Sequence, residues 1–437
     1  MKLKWVNHSS FLLEFGKIRL LSDPWIDGYV FDSSWAQLSP TKFSYADFAH
    51  VTHIWFSHEH PDHFFPPNLQ RIPRQIRNNI TILFQATAPR DGRVRKFCQD
   101  LGFKAVIELH PEWCEIGNGL SILCQPAGRG DSWLAIKAAD RLLLNLNDCI
   151  YMSEEELVPV KQRIGSVDAL ITQFSYASWW GNPTEEDLWN SAAEDALLKI
   201  RREIDVLGPK DVVLSASYVF FCHEENQYMN KHINRVSRAY KFVLENGKAR
   251  PIVLYPGDEW LLGARWDSSV AVSRYEADYD AALNDPVRVV SSIVPLGQIV
   301  SCGDSFMKNL GRTNSFLLLR RLPAATINVT DHKVSLRLSA DGLKTIGRLR
   351  HDEHDVALSS SALLYCLRFS WGGETLMING RFCRPAKGDH QKFFRWFSIA
   401  QSNSRGTYFD HAYYTRKLKA KARKLFRFPN GPIRQSL

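Results

Sequence analysis

The 437-residue chain lacks any apolar run approaching the length needed to cross a bilayer, and its opening stretch, Met1-Lys2-Leu3-Lys4-Trp5, lacks a signal-peptide core. These two absences predict a cytoplasmic protein. The eight cysteines, Cys98, Cys114, Cys124, Cys149, Cys222, Cys302, Cys366 and Cys383, are scattered without paired spacing. That pattern speaks against a disulfide framework and fits reduced thiols. No C-x-H and C-x-x-H pair occurs, which excludes a Rieske iron–sulfur cluster within this sequence. Internal repeats and low-complexity segments are missing as well. What remains, 45% hydrophobic and 23% charged residues, is ordinary globular composition. The length exceeds one comfortable core and predicts two or three domains.

Excess charge is also absent from most of the chain. Residues 384–437 hold 13 Lys or Arg against Asp389 and Asp410, a net of +11, so residues 1–383 sum to −2 within the overall +9. A nucleic-acid-binding surface on the main body is therefore not expected. The densest stretch, residues 416–426, reads as a basic helix that is either solvated or in contact with an anionic membrane or a protein partner.

Against these absences stands one crowded bend. Residues 57–63 read Ser-His-Glu-His-Pro-Asp-His, immediately after the apolar stretch 51–56. Imidazole and carboxylate together are ligands for zinc, iron or manganese, and the lack of thiolates argues against a closed structural zinc site. Residues 53–57 read as a buried strand. His58 and His60, two apart in an extended segment, project to one side and can clasp one ion. Pro61 suits the first turn of a helix, so Asp62 and His63 are expected there, facing a second ion. Two adjacent metals polarise a substrate and activate water or dioxygen.

Strands are expected at 2–6, 11–15 and 18–21, with Gly16-Lys17 as a tight turn, then at 81–86 and 104–109 around a helix at 90–101. Residues 26–40 read as an aromatic-rich loop. Further strands are expected at 119–126, 132–138 and 141–146, helices at 153–163 and 185–203, and a buried strand at 211–214. This is an α/β pattern suited to a layered αββα sandwich, with a domain boundary near 265. Residues 266–383 read as a smaller α+β accessory domain, with strands at 325–329, 333–338, 343–349 and 374–379 and a helix at 359–368. Residues 384–437 form the basic helical tail. A second histidine-rich stretch, 351–355, reads as a solvated turn because no apolar strand precedes it.

The H-x-H-x-D-H bend resembles the metallo-β-lactamase superfamily. Over residues 1–262 the chain is similar, more specifically, to the lactamase-like portion of the CMP-N-acetylneuraminate hydroxylase family. Phe11-Leu12-Leu13-Glu14, Asp23-Pro24-Trp25, Asn147-Asp148-Cys149, Leu207-Gly208-Pro209, Ala216-Ser217-Tyr218 and Pro256-Gly257 occur in the matching order. The block 266–383 resembles sterol-carrier-like domains through Val356-Ala357-Leu358-Ser359 and Ile378-Asn379-Gly380-Arg381-Phe382.

The resemblance implies a two-metal site, iron or zinc, held by His58, His60, Asp62, His63, Asp148 as the bridging aspartate and His223 as the last histidine. His8 is a further candidate near the site. The histidine normally found between the bend and Asp148 is missing, and Asp131 is the candidate to replace it; His110 reads as structural. Arg129 and Tyr218 are candidates to orient an anionic substrate, and Trp179 and Trp180 to stack a sugar or base. The implied activity is iron-dependent hydroxylation of an N-acyl or nucleotide-sugar-type substrate, with electrons from an external ferredoxin or reductase. The alternative is zinc-dependent hydrolysis of an ester, amide or phosphodiester, with Asp62 or Asp148 handling the proton. A third reading is a binding protein whose site has decayed.

Overall fold

A computed structural model describes residues 1–86, 92–410 and 412–415. The chain divides into two compact units, one made of residues 1–291 and 375–381, the other of 292–374 and the residues from 382 onward. The first unit is built on two seven-stranded sheets. Edge to edge, one runs Glu259–Leu261, Lys2–Asn7, Ser10–Phe15, Ile18–Ser22, His53–Phe56, Thr81–Gln85 and Ala105–Leu109. The other runs Arg250–Ile252, Asp211–Ser215, Ala169–Gln173, Arg141–Asn147, Ser132–Ala138, Leu120–Pro126 and Cys114–Gly117.

Side-chain alternation along these strands divides them between layers. In the first sheet Trp55 and Leu83 face a core shared with Ile122, Leu134, Leu143 and Ile171 of the second. Their neighbours Ile54, Phe56, Ile82 and Phe84 face the opposite way, onto Leu69, Val94 and Cys98 of the helices Pro66–Arg71 and Arg93–Leu101. In the second sheet Leu123, Ala135, Leu144 and Leu170 pack on Leu157 and Val160 of the helix Glu154–Ile164. The result is the expected αββα sandwich.

Four strands of each sheet run parallel, beginning with Ile18–Ser22 in the first and Arg141–Asn147 in the second. Parallel strands place their carboxyl ends along one edge, which is where open α/β folds assemble ligand sites. Asp23, Ser57, Gln85, Asp148, Gln173 and Ala216 all lie at such ends. Asp23, Asn147 and Ala216 hold positive φ angles of 41°, 50° and 48°, and so do three consecutive residues, Phe31, Asp32 and Ser33, at 52°, 58° and 56°. Left-handed backbone costs a non-glycine residue about 1–2 kcal/mol and marks positions that the surroundings over-determine.

The first unit extends past the expected boundary at 265. The helix Ser269–Asn284 buries Tyr275 and Tyr279, and the Tyr275 ring stacks on Tyr218 at 4.1 Å. The segment 26–40, expected as a loop, contains the short strand Trp35–Gln37, paired with Val219–Phe221. The second unit carries a four-stranded sheet in the order Gly342–Thr345, Val334–Ser339, Ala325–Val329, Val356–Leu358. Its helices Leu296–Thr313, Ser360–Arg368 and His390–Ser404 bury Ile299, Phe306, Leu363, Phe393 and Trp396. The stretch 374–379, expected as a strand, lies in the helix Gly372–Asn379. Its apolar run has no alternation, and a short run of that kind suits either state. No helix among the described residues is long and apolar enough to cross a membrane. Of the basic tail, His390–Ser404 is a helix of the second unit, and residues 416–437 lie outside the described residues.

Candidate metal centre

The site is built on a buried carboxylate. Asp23, fully enclosed at the end of Ile18–Ser22, accepts hydrogen bonds from Ser57 N at 2.8 Å, Ser57 Oγ at 2.9 Å and Asn147 Nδ2 at 2.6 Å. His63 Nδ1 lies 3.2 Å from Asp23 Oδ2. Ser132 Oγ and Gln85 Nε2 both donate to Ser57 O, at 2.6 and 3.0 Å. These bonds fasten the strand ends of the two sheets beneath the bend before any ligand is considered.

The bend itself is a single turn. His63 N and Phe64 N both donate to His60 O, at 3.0 and 2.7 Å, and the next helix begins only at Pro66. Asp62 and His63 therefore sit on a tight turn, not on a helix. His58 Nε2 lies 2.9 Å from His60 Nδ1, and its other ring nitrogen lies 2.9 Å from Ser57 Oγ. His63 Nε2 lies 3.2 Å from Asp62 Oδ2 and 3.2 Å from Asp148 Oδ2. His8 Nε2 lies 3.3 Å from Asp62 Oδ2. Two groups result, His8–Asp62–His63 and His58–His63–Asp148, each with its donor atoms within 4.8 Å of one another.

These atoms fit a cation. With an ion bound, the hydrogen bond from His63 Nδ1 to Asp23 Oδ2 would leave the Nε2 lone pair directed between the Asp62 and Asp148 carboxylates. His63 Nε2, Asp62 Oδ1 and His8 Nδ1 are buried and have no hydrogen-bond partner among the described residues. Two carboxylates converging on one buried imidazole nitrogen need a positive charge between them. Without an ion, a proton on His63 supplies that charge. Burial opposes a charge on His63, yet Asp62, Asp148 and Asp23 outweigh it and hold the ring well above the usual histidine range. Burial also opposes the Asp62 carboxylate, but His63 and His8 hold it well below the usual range. Burial, with His63 and His60 beside it, keeps His58 neutral by holding it well below that range.

The remaining sequence candidates are placed as follows. Asp131 brings Oδ1 to 3.8 Å from His58 Nε2, at the position where a histidine was expected. Burial pushes its carboxyl up to about 7, against His60 and with Asp148. His223 joins neither group: its Nδ1 accepts the Glu225 N–H at 3.2 Å, which leaves the proton of a neutral ring on Nε2 and no lone pair for an ion. Burial and Arg381 lower it to about 4, so the ring is neutral. Tyr218 is enclosed in the core and its hydroxyl donates to Leu214 O at 3.0 Å, which removes it from contact with a substrate. Trp179 is buried, whereas Trp180 is 47% exposed. Arg129 lies on the turn Gly128–Gly130, and its side chain is outside the described residues.

Asp23, Ser57, Gln85, Asn147 and Gln173 escaped sequence reasoning as site residues. Gln173 Nε2 donates to Asp148 Oδ1 at 3.4 Å. The available signal was a polar residue at the very end of each apolar strand, as in Leu146-Asn147 and Ser22-Asp23.

Residues 2–145 match the family model described as the beta-lactamase superfamily domain. A protein of Mycolicibacterium smegmatis, provisionally named as a Rieske 2Fe-2S iron–sulfur protein, is 25% identical over 216 residues, which cover 47% of this chain and 40% of that protein. The chain thus spans less than half the length of that relative. A metal-dependent hydrolase of Pyrobaculum aerophilum is 40% identical over 63 residues, 14% of this chain and 24% of its own length. Among solved structures, CmlA, a diiron beta-hydroxylase from Streptomyces venezuelae, aligns at 18% identity over 58% of this chain and 53% of its own, with a TM-score of 0.42.

Proposed function

We propose that this chain, whose first unit belongs to the metallo-β-lactamase superfamily, is a metal-dependent enzyme, an iron-dependent hydroxylase of an N-acyl or nucleotide-sugar-type substrate. The observation that carries the metal reading is the convergence of the Asp62 and Asp148 carboxylates on one buried imidazole nitrogen, His63 Nε2, each at 3.2 Å. Oxygen chemistry is supported by the partial match to the Rieske-named relative and by a donor set rich in carboxylate. Residues 1–437 hold no Rieske ligand pair, so the electrons would come from a donor outside these residues, such as a ferredoxin or reductase.

His8, Asp62 and His63 would hold one metal, and His58, His60, Asp131 and Asp148 the other, with His63 common to both groups. Such ions, when bound, polarise the substrate and activate dioxygen or water. The chain's own residues do the rest. Asp23 fixes the His63 tautomer, and Gln173 orients the Asp148 carboxylate. Asp131 would supply an oxygen ligand beside His58, in place of the missing histidine. Asp62, held ionised, serves as a ligand and not as an acid. Trp180 offers the exposed ring for a sugar or base.

Elemental analysis of natively purified protein, followed by oxygen uptake with a reductant and acyl-sugar substrates, tests the reading. Bound iron with substrate-dependent oxygen consumption is expected. Fully iron-loaded protein that consumes no oxygen overturns hydroxylation. Hydrolysis is the second reading, favoured by the match to the Pyrobaculum metal-dependent hydrolase. Colourless zinc-loaded protein that cleaves an ester, amide or phosphodiester without a reductant establishes it.

A further inference from the structure

The first unit contains one segment from far along the chain, residues 375–381. Arg381 is 4% exposed and spends its guanidinium on three partners: Nε donates to Glu225 Oε2 at 2.7 Å, Nη2 to Ser291 Oγ at 3.3 Å, and Nη1 to Asp32 Oδ2 at 2.5 Å and Asp32 O at 3.2 Å. Two residues earlier, Asn379 Nδ2 donates to Phe31 O at 3.1 Å, and its Oδ1 accepts the Arg381 N–H at 3.0 Å. Between them Gly380 sits at φ +67°, where a Cβ would come within 2.3 Å of Met229 Sδ. Only glycine lets the backbone pass there.

The residues so gripped, Phe31 and Asp32, belong to the left-handed run 31–33. Three successive non-glycine residues in that conformation do not hold it unaided, because the local chain prefers other basins. Asn226 Nδ2 and Cys222 N add bonds to Ser34 O, at 3.2 and 2.9 Å. The outcome of this restraint is visible at Phe31. Its ring is buried, leans on Trp35 at 4.6 Å and meets His60 edge-on at 5.8 Å. His60 is the ring whose Nδ1 faces His58 Nε2.

We propose that Arg381 and Asn379 are positioning residues of the metal centre. By pinning the strained turn 31–33 they seat Phe31 against His60 and fix the direction from which that imidazole approaches His58. The proposal rests on the metal reading above. A carboxylate or carbonyl beside a ligand is the usual outer support of a metal site; here the support is a backbone conformation held from residues about 350 positions away.

The test is Co(II) titration of the full chain against a competing chelator, with the visible absorption spectrum as second readout and metal-free thermal unfolding as control. Arg381→Ala is expected to weaken Co(II) binding by roughly 10–100-fold and to alter the spectrum. Arg381→Lys restores part of this, since an ammonium keeps the charge but cannot fork to three partners. Phe31→Leu, which keeps the apolar volume and removes the ring edge, is expected to shift the spectrum even where Arg381→Ala fails to fold. Variants that unfold more readily but bind Co(II) with wild-type affinity and spectrum overturn the positioning role alone. Wild-type protein that takes up no Co(II) overturns the metal reading and this proposal with it.

Discussion

Residues 58–63 and residues 351–355 both crowd histidine and carboxylate into a few positions, but their donor atoms are used differently. In the first stretch the Asp62 and Asp148 carboxylates converge on His63 Nε2, and Asp62 Oδ1 and His8 Nδ1 have no hydrogen-bond partner among the described residues. In the second every such atom has a local use. His354 Nε2 meets Ser335 Oγ at 2.9 Å, and its Nδ1 lies 3.4 Å from His351 O. Asp355 accepts from Thr326 N, Thr326 Oγ1, Asp389 N and Lys392 Nζ, all between 2.8 and 3.1 Å. Asp352 pairs with Lys387 at 2.7 Å. Composition does not make a metal site; convergent, unspent lone pairs do.

Three substitutions can break or sharpen that contrast. His63→Ala removes the one ring common to both donor groups. It is expected to lower metal affinity by more than about 100-fold, beyond what a supporting residue costs; metal content after dialysis against a weak chelator checks it. Asp355→Ala, in the other stretch, is expected to leave metal content untouched and to destabilise the protein by roughly 1–3 kcal/mol, the cost of stranding buried donors. Chemical denaturation measures the second effect, and lost metal would show the two stretches to be alike after all. The smallest effect concerns His223→Asn, which keeps an acceptor for the Glu225 N–H. Metal content is expected to remain at the wild-type level. The His223 ring titrates near 4 in the fold and at about 6.5 when unfolded, so the unfolded chain binds more protons between those values. Its contribution is complete above about pH 6.5 and is lost as pH falls toward 4. The Asn variant should therefore show a flatter decline of stability over that window.

Much of the sandwich was legible because its strands announce themselves. Residues 132–138 are a mostly apolar run that ends as expected at both limits, and the turn at Gly16 follows from two apolar runs meeting there. The bend was legible because three imidazoles and a carboxylate occupy six positions. What the sequence could not convey is which distant atoms meet. Asp23 reads as the end of a strand, and only the register of Ile18–Ser22 against His53–Phe56 brings it beneath Ser57 and His63. His223 has the identity of a ligand, but the Glu225 N–H takes its lone pair, and local backbone geometry of that kind has no signature in residue type. The extent of the first unit is of the same kind. Tyr275 and Tyr279 bind their helix to the first unit through ring contacts, and residues 375–381 return to it across a long separation, which periodicity does not register.

The pairing of Lys2–Asn7 with Glu259–Leu261 sets a schedule for synthesis. The outer edge of the first strand has no neighbour until residue 261 has left the ribosome, on the order of 10–50 s later at typical elongation rates. During that interval Leu3 and Trp5 belong to an open ladder that any extended chain can join. Lys2 and Lys4, on the same edge, discourage such pairing; Lys2 meets Glu14 at 3.1 Å across the first hairpin and later Glu259 at 2.9 Å.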